Sequence, residues 1–213
     1  TGVIVEVNCE TDFAARDDNF VAFVKLVTEK VFDTQQVDIE ALGLESAREN
    51  LVQKIGENIS IRRAQVFKDE GSVVDYVHTN GRIGVMLSMN GGNYELGKDV
   101  AMHIAAMNPS VVRPEDASRD LVEKEREIYT AQAQDSGKPP EIIEKMIDGR
   151  IKKYLAEISL LEQAFVKDSD TKIGALLKKE GATVNRFVRY EVGEGIVKGE
   201  EDFAAEVQKQ LGS

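Results

Sequence analysis

The sequence predicts an α+β fold made of two similar subdomains, each an antiparallel sheet backed by helices. Residues 2–31 run from a strand pattern through a polar connection into a helical pattern, and residues 84–107 repeat this order. Residues 58–62 and 185–189 then align without gaps, which indicates that each half closes with a related strand. We therefore expect an internal structural repeat.

The chain of 213 residues is long enough for two small units with real cores. The repeat predicts a first core subdomain over residues 1–69 and a second over residues 70–195. The second is interrupted by an insertion at residues 117–158, and a C-terminal helical module follows at residues 196–213.

The first half opens with a pattern of period two, which is typical of a half-buried strand with one face in the core and one in solvent. The core set is Val3, Val5, Val7 and Cys9, and it alternates with Ile4, Glu6, Asn8 and Glu10. Cys9 shares the apolar face of this strand, so we expect a buried small hydrophobe rather than a nucleophile. The helix that follows has an apolar stripe formed by Phe20, Phe23, Val24, Val27 and Val31.

In the second half, Asn80 and Gly81 separate two strand patterns and predict a type I′ hairpin turn, because both positions need positive φ. His78 directly precedes this loop, and we expect it near an exposed tip. His103 falls on the apolar face of the next helix, so we expect a core histidine with satisfied hydrogen bonds. The other members of that face are Leu96, Val100, Ile104 and Met107.

The insertion at residues 117–158 has a helical and highly charged composition, with nine acidic and eight basic residues of interspersed sign. Residues 136–140 contain glycine and two prolines and break the helical pattern. These features predict an antiparallel helical hairpin. Its two apolar stripes consist of Leu121, Val122, Ile128 and Tyr129, and of Ile143, Met146, Ile147, Tyr154 and Ile158.

Residues 191–213 form an acidic tail with six acidic residues and two lysines. Phe203, Ala204, Val207 and Leu211 recur at helical spacing, which predicts a short amphipathic helix. Its apolar stripe suits two alternatives, docking on the chain's own core or on a partner.

Composition excludes several classes of function. A net charge of −11 is unfavourable for binding nucleic acid through phosphate contacts. No apolar run is long enough to span a membrane. One cysteine and two histidines make a zinc site unfavourable, and the glycine pairs lack the ending of a phosphate-binding loop, so we expect neither a metal nor another cofactor. The single cysteine fits a reducing compartment.

Phe13 is the most informative single residue, because it is a large aromatic beside an acidic residue on a polar connection between strand and helix. Two explanations suit this position. Phe13 could be a hydrophobic staple at a helix start, with Asp17 or Asp18 as the N-cap. Alternatively, it could contact another protein.

Residues 7–17, with the sequence VNCETDFAARD, resemble the signature of the elongation factor Ts family, the guanine-nucleotide exchange factors of elongation factor Tu. Further blocks resemble the family in the same order, so the resemblance covers nearly the whole chain. The family's small N-terminal helical domain has no counterpart here, so we expect a core that lacks it. Ala164 stands where the family usually has proline. The further blocks are residues 54–63, 76–78, 81–85, 101–106, 161–166 and 189–195.

The resemblance implies that Thr11, Asp12, Phe13 and Ala14 enter the nucleotide domain of elongation factor Tu near its Mg²⁺ site. It also implies a coiled-coil insertion, and it favours docking of the tail on the partner. It implies an exchange factor and not an enzyme, acting in the cytoplasm of a bacterium or in an organellar matrix. The other partner contacts that we infer are Asn8, Glu10, His78, Arg82 and Phe203.

Two other classes of function are weighed against this one. A hydrolase or transferase using Asp12, Cys9 or a histidine should show a convergent nucleophile, base and orienting group, and the sequence offers none. A structural module that forms a homodimer through the helical hairpin would not need an Asp-Phe pair at a strand-to-helix connection. This second class stays as the alternative.

Overall fold

The computed structural model describes residues 1–134, 137 and 139–196, and it has a mixed α/β architecture with antiparallel sheets, consistent with the α+β class. Among the described residues, β1 pairs with β2, β4 lies between β3 and β7, and β5 pairs with β6. The strands are β1 (Gly2–Asn8), β2 (Ser60–Phe67), β3 (Ser72–Val77), β4 (Ile83–Asn90), β5 (Ala164–Phe165), β6 (Asp168–Lys172) and β7 (Thr183–Glu191). The helices are α1 (Asp12–Ala15), α2 (Asp18–Thr34), α3 (Glu45–Ile55), α4 (Tyr94–Met107), α5 (Arg119–Gln134), α6 (Pro140–Ile158) and α7 (Ile173–Lys179).

The first core forms where α2 and α3 cover one face of the β1–β2 sheet. The apolar stripe of α2 predicted from the sequence faces this core, and Val27 and Val31 are fully buried. Asp17 caps α2, because its carboxylate accepts a hydrogen bond from the backbone N–H of Asn19 at 2.8 Å. The buried members of this core are Phe20, Phe23, Val27, Val31, Leu42, Leu44, Leu51 and Ile59.

The expectation that β1 is half-buried is wrong, because its second face is covered as well. Ile4 and Glu6, which the alternation assigns to the solvent side, are only 9% and 2% exposed. Ile4 packs with Phe67 and Met86, so the β3–β4–β7 sheet covers this face of β1. Gly84 permits the close approach, since a Cβ at that position would lie 3.3 Å from Ile4 Cδ1.

The predicted type I′ turn at Asn80 and Gly81 is also wrong. The β3–β4 register ends at Val77 and Gly84, and a longer loop joins the strands. The loop contains a tight turn in which Gly81 N–H donates to the carbonyl of His78 at 2.8 Å. Gly81 has a φ of +69°, but Asn80 has no positive φ, so the sequence pair does not adopt the mirror-image turn.

The second large core forms where α4 packs on the β3–β4–β7 sheet. His103 of α4 is fully buried, and both ring nitrogens have partners: Gln163 Oε1 lies 2.9 Å from Nε2, and Val166 N–H donates to Nδ1 at 3.1 Å. Burial lowers the pKa of His103, so the ring is neutral and its Nε2–H donates to Gln163. The expectation of a satisfied core histidine is confirmed, whereas Met107 is 47% exposed and does not share the buried face.

Helices α5 and α6 contact each other, and Ile147 of the second predicted stripe is buried, at 6% exposed. Polar and cation–π pairs also join the two helices. Arg126 Nη2 lies 2.8 Å from Asp148 Oδ1, and the Arg150 guanidinium lies 5.6 Å from the ring centroid of Tyr129. Ile128, which the sequence placed in an apolar stripe, is 47% exposed instead. Within the described residues, none of the helices has the length and apolar content that crossing a membrane requires.

Glu6 links the two sheets through a buried cluster of hydrogen bonds. Its carboxylate accepts from Arg62 Nη1 at 2.8 Å and from Arg63 Nε at 2.5 Å. It also accepts from the backbone N–H of Gly193, just beyond β7, at 2.9 Å. The Arg63 guanidinium stacks over the ring of Tyr190 in β7 at 3.9 Å, so the same arginine contacts both sheets.

Burial by itself would raise the pKa of Glu6, but the hydrogen bonds from Gly193, Arg62 and Arg63 outweigh it and hold the pKa below its ordinary value of 4.5. The unfolded chain therefore binds a proton more readily than the folded protein. The stabilisation that Glu6 provides is present above pH 4.5 and is lost as the pH falls through the lower folded pKa.

We expect Glu6→Gln to lower the free energy of unfolding at pH 7 by about 2 kcal/mol, because two arginines lose a buried anionic partner. Below pH 4.5 the difference between the variant and the unsubstituted chain should narrow. Urea unfolding at pH 7 and at several pH values below 4.5 measures both effects. Glu49→Gln, at an exposed position of α3, is the control, and an equal loss in both variants would contradict the expectation.

Candidate functional site

The candidate site is the connection between β1 and α2, where the chain forms the four-residue helix α1. Phe13 lies in this helix with 88% of its surface exposed, the highest value among the exposed large apolar residues of the described chain. A hydrophobic staple requires the aromatic ring to pack on its own helix, so the exposure of Phe13 rules out that alternative. The ring is directed at solvent and needs an explanation outside the core.

Thr11 holds the start of α1 through every polar group that it has. Its backbone N–H donates to Glu57 Oε2 at 2.9 Å, and its hydroxyl donates to Glu57 Oε1 at 2.5 Å. Its Oγ1 accepts from the N–H of Ala14 at 3.2 Å, which makes Thr11 the N-cap. Its carbonyl accepts from Ala15 N–H at 3.2 Å and from Cys9 Sγ at 3.4 Å.

Asp12 connects the α1 turn to the β3–β4–β7 sheet. The Asp12 carboxylate lies 3.6 Å from Arg82 Nη1 in the β3–β4 loop. His78, at the start of the same loop, is exposed as expected, and its Nδ1 lies 3.0 Å from the hydroxyl of Tyr76. The structure therefore brings Asp12 and Arg82 together, although 70 positions separate them in the sequence.

The other residues predicted for the site have different surroundings. Ala14 is only 4% exposed, so its methyl group packs inside the chain, and a direct contact with a partner stays a prediction that burial does not favour. Glu10 is exposed. Asn8 is half-buried, and its Oδ1 is buried without a hydrogen-bond partner among the described residues. Phe203 lies outside the described residues, as does the predicted tail helix.

Cys9 has the properties of a structural thiol. Burial, and then the negative charges of Glu57 and Asp12, raise the pKa of the Cys9 thiol. A protonated thiol is a poor nucleophile, so this environment does not favour covalent chemistry at Cys9. In the described part of the chain, no group of three or more His, Cys, Asp or Glu side chains is placed to hold a metal ion.

A mainly apolar depression of about 430 Å³ lies beside the β3–β4 loop, and the sequence did not predict it. Tyr76 and His78 line one side, and Met102, Ala106 and Val166 line another. Its lining comes from β3 and the following loop, from α4 and from the segment after β5, which are distant in the sequence. Small residues on α4 are the one sequence signal that could have indicated it.

Two observations connect this geometry to known proteins. The sequence pattern of the family described as Elongation factor TS matches residues 10–194, which include α1, Glu57 and the β3–β4 loop. The chain belongs to the elongation factor Ts family. The resemblance inferred from the sequence is thereby confirmed, and the family name places the chain among the elongation factors of protein biosynthesis.

Several relatives described as elongation factor Ts are similar to the chain over almost its whole length. The protein from Hahella chejuensis is 61% identical over 212 residues, which cover 98% of the chain and 74% of the relative. The protein from Teredinibacter turnerae is 57% identical and that from Saccharophagus degradans is 53% identical, each over 99% of the chain. The matches cover 73% and 74% of these two relatives.

We expect Arg82→Ala to change the free energy of unfolding by less than about 1 kcal/mol, because the pair with Asp12 is exposed and long. Thermal unfolding in low and high salt measures this contribution. Lys25→Ala removes another exposed cation, which pairs with Glu29, and is the control. A loss of several kcal/mol with Arg82→Ala alone would show that this ion pair holds the fold.

Proposed function

We propose that this chain is a guanine-nucleotide exchange factor for elongation factor Tu, as membership of the elongation factor Ts family implies. The observation that carries the proposal is the exposure of Phe13 on a short turn. The backbone of this turn is held by hydrogen bonds of Thr11 with Glu57 and with Ala14. An exposed aromatic on a rigid support can enter a partner with little loss of conformational entropy. The chain then acts by protein contact and needs no cofactor of its own.

The proposed mechanism depends on the demands of Mg²⁺ in the partner. Mg²⁺ requires near-octahedral oxygen coordination and bridges the nucleotide phosphates to a GTPase. A side chain wedged beside that site needs to move one ligand only slightly to weaken nucleotide binding. Phe13 is the proposed wedge, and Asp12 fixes the connection and contacts the partner. Ala14 supports this segment from the core side.

Linkage sets the direction of the effect. An exchange factor that binds the nucleotide-free partner more tightly than the GDP-bound partner must weaken GDP binding by the same factor. The chain therefore promotes GDP release without taking part in a chemical reaction. No covalent bond of the partner is made or broken in this step.

A wider contact surface would supply the affinity. Asn8 and Glu10 flank the wedge segment, and His78 and Arg82 extend the proposed surface onto the β3–β4 loop. The apolar depression beside His78 suits an apolar side chain of the same partner. Phe203 in the tail is proposed as a further contact.

The proposed organisation follows the internal repeat, with core subdomains at residues 1–69 and 70–195, a hairpin insertion at 117–158 and a tail module at 196–213. The proposed place of action is the bacterial cytoplasm or an organellar matrix, without direct nucleic-acid or membrane binding. The alternative is a structural module that dimerises through the α5–α6 hairpin without exchange activity. The exposed side chain of Ile128 on α5 is the observation that favours this alternative.

The release of fluorescent GDP from purified elongation factor Tu, with and without the chain, tests the proposal directly. Faster release that saturates with the concentration of the chain supports it. Unchanged release, together with concentration-dependent self-association in sedimentation, would support the alternative.

We expect Phe13→Ala to fold with the stability of the unsubstituted chain, within about 0.5 kcal/mol, because the ring is exposed. Exchange activity should fall by about tenfold or more, because a wedge contact in a partner's core is lost. Stopped-flow GDP release and thermal unfolding measure the two quantities. Phe32→Ala, on the 48% exposed Phe32 of α2, is the matched control and should keep its activity. Unchanged release per folded Phe13→Ala molecule would exclude the wedge.

We expect the hairpin to be removable, with a short linker joining Pro114 to Leu160, without unfolding the sheets. The two ends lie close, since Leu160 N–H donates to the carbonyl of Val111 at 2.9 Å. Exchange should persist and any self-association through the hairpin should disappear. Circular dichroism, sedimentation and GDP release test these points. A variant that loses its fixed tertiary structure would show that the hairpin belongs to the core.

A further inference from the structure

Glu57 lies at a corner of the fold that faces the candidate site. Helix α3 ends at Ile55, and its C-cap Gly56 has a φ of +81°, a conformation that favours glycine. This turn reverses the chain before β2 and leaves the Glu57 side chain opposite Thr11, 46 positions earlier in the sequence. Both oxygens of the carboxylate bind Thr11, one through the backbone N–H and one through the hydroxyl.

Helix α1 needs such an external support because it has only four residues. A helix of this length has almost no stability in water by itself, since the first turn fixes several backbone angles for a single hydrogen bond. The Glu57 carboxylate fixes the N-cap residue from outside the helix, and hydrogen bonds to a charged group are stronger than neutral ones. The position of Phe13 is then set by Glu57 through Thr11.

We propose that Glu57 is a positioning residue for nucleotide exchange, which keeps the α1 turn folded before the partner arrives and so holds Phe13 ready to bind. The inference rests on the proposed exchange function for its effect on activity. Its structural part, the order of the α1 turn, can be measured on the free chain.

A direct contact between Glu57 and the partner is the competing explanation. Glu57 is partly exposed, and each oxygen of its carboxylate already accepts a hydrogen bond from Thr11. The Asp12–Arg82 pair on the other side of the turn is longer, at 3.6 Å, and is exposed. Glu57 is therefore placed to hold Thr11 rather than to bind a second protein.

Three substitutions separate shape from charge at this position. Glu57→Ala removes both hydrogen bonds and should reduce stimulated GDP release by about tenfold. In Glu57→Gln the amide oxygen can accept from Thr11 N–H and the amide nitrogen can donate to Thr11 Oγ1, so most of the activity should return. Glu57→Asp keeps the charge but is too short to reach both groups, and its activity should stay close to that of Glu57→Ala. Glu49→Ala, at an exposed position of α3, is the control.

A second measurement does not depend on the partner. Amide hydrogen exchange of Thr11 and Ala14, followed by NMR on the free chain, should accelerate at least about tenfold in Glu57→Ala and recover in Glu57→Gln. The amide of Val27 in the core of α2 reports global unfolding and should not change. The double variant Phe13→Ala/Glu57→Ala should be no slower in GDP release than Phe13→Ala alone, because Glu57 acts through the Phe13 turn.

The outcomes are distinguishable. Activity restored by Glu57→Asp but not by Glu57→Gln would overturn the inference in favour of a charge contact with the partner. The inference would also be overturned if Phe13→Ala lowers GDP release while Glu57→Ala keeps full activity. If the unsubstituted chain does not stimulate GDP release, the proposed function fails. Amide hydrogen exchange then tests the positioning role by itself. An unchanged exchange rate of the Ala14 amide in Glu57→Ala would overturn that role.

Discussion

The burial of β1 on both faces is the constraint on which the rest of the structure depends. One face packs on α2 and α3, and the other packs on the β3–β4–β7 sheet through Ile4 and Glu6. A carboxylate in that second interface would be unfavourable without partners. Arg62, Arg63 and the N–H of Gly193 supply them, so the close contact of the sheets and the ionic cluster depend on each other.

The geometry of the candidate site depends on this burial of β1. β1 ends at Asn8 and runs into the Thr11 turn, so a strand held on both faces leads directly to Phe13. Glu57 reaches the turn from the connection between α3 and β2, whereas Arg82 reaches it from the β3–β4 loop. The turn that carries Phe13 is therefore supported by elements from two cores, which limits its freedom to move.

The sequence predicted the features that depend on local pattern, and it failed where distant segments meet. The buried face of α2 and the satisfied His103 follow from helical period alone. Glu6 was assigned to solvent because alternation cannot indicate a second sheet on the outer face. The turn at Asn80 differs because the β3–β4 register ends at Val77 and Gly84, before the loop. Ile128 is exposed although its spacing is apolar, because spacing alone does not determine which face of a helix is covered. The bond between Glu57 and Thr11 joins separate motifs, and no periodicity connects them.

The hydrogen bond between Gly193 and Glu6 joins residues 187 positions apart, and this separation bears on how the chain folds during synthesis. Arg62 and Arg63 leave the ribosome early and can neutralise Glu6 within the first sheet. The outer face of β1, however, stays open to water until β4 and β7 have been made. Contacts of such long range form late and slowly. The nascent chain therefore exposes Ile4 beside a Glu6–arginine cluster that lacks its Gly193 donor, and the charged side chains of that cluster oppose pairing of this face with another chain until β4 and β7 cover it.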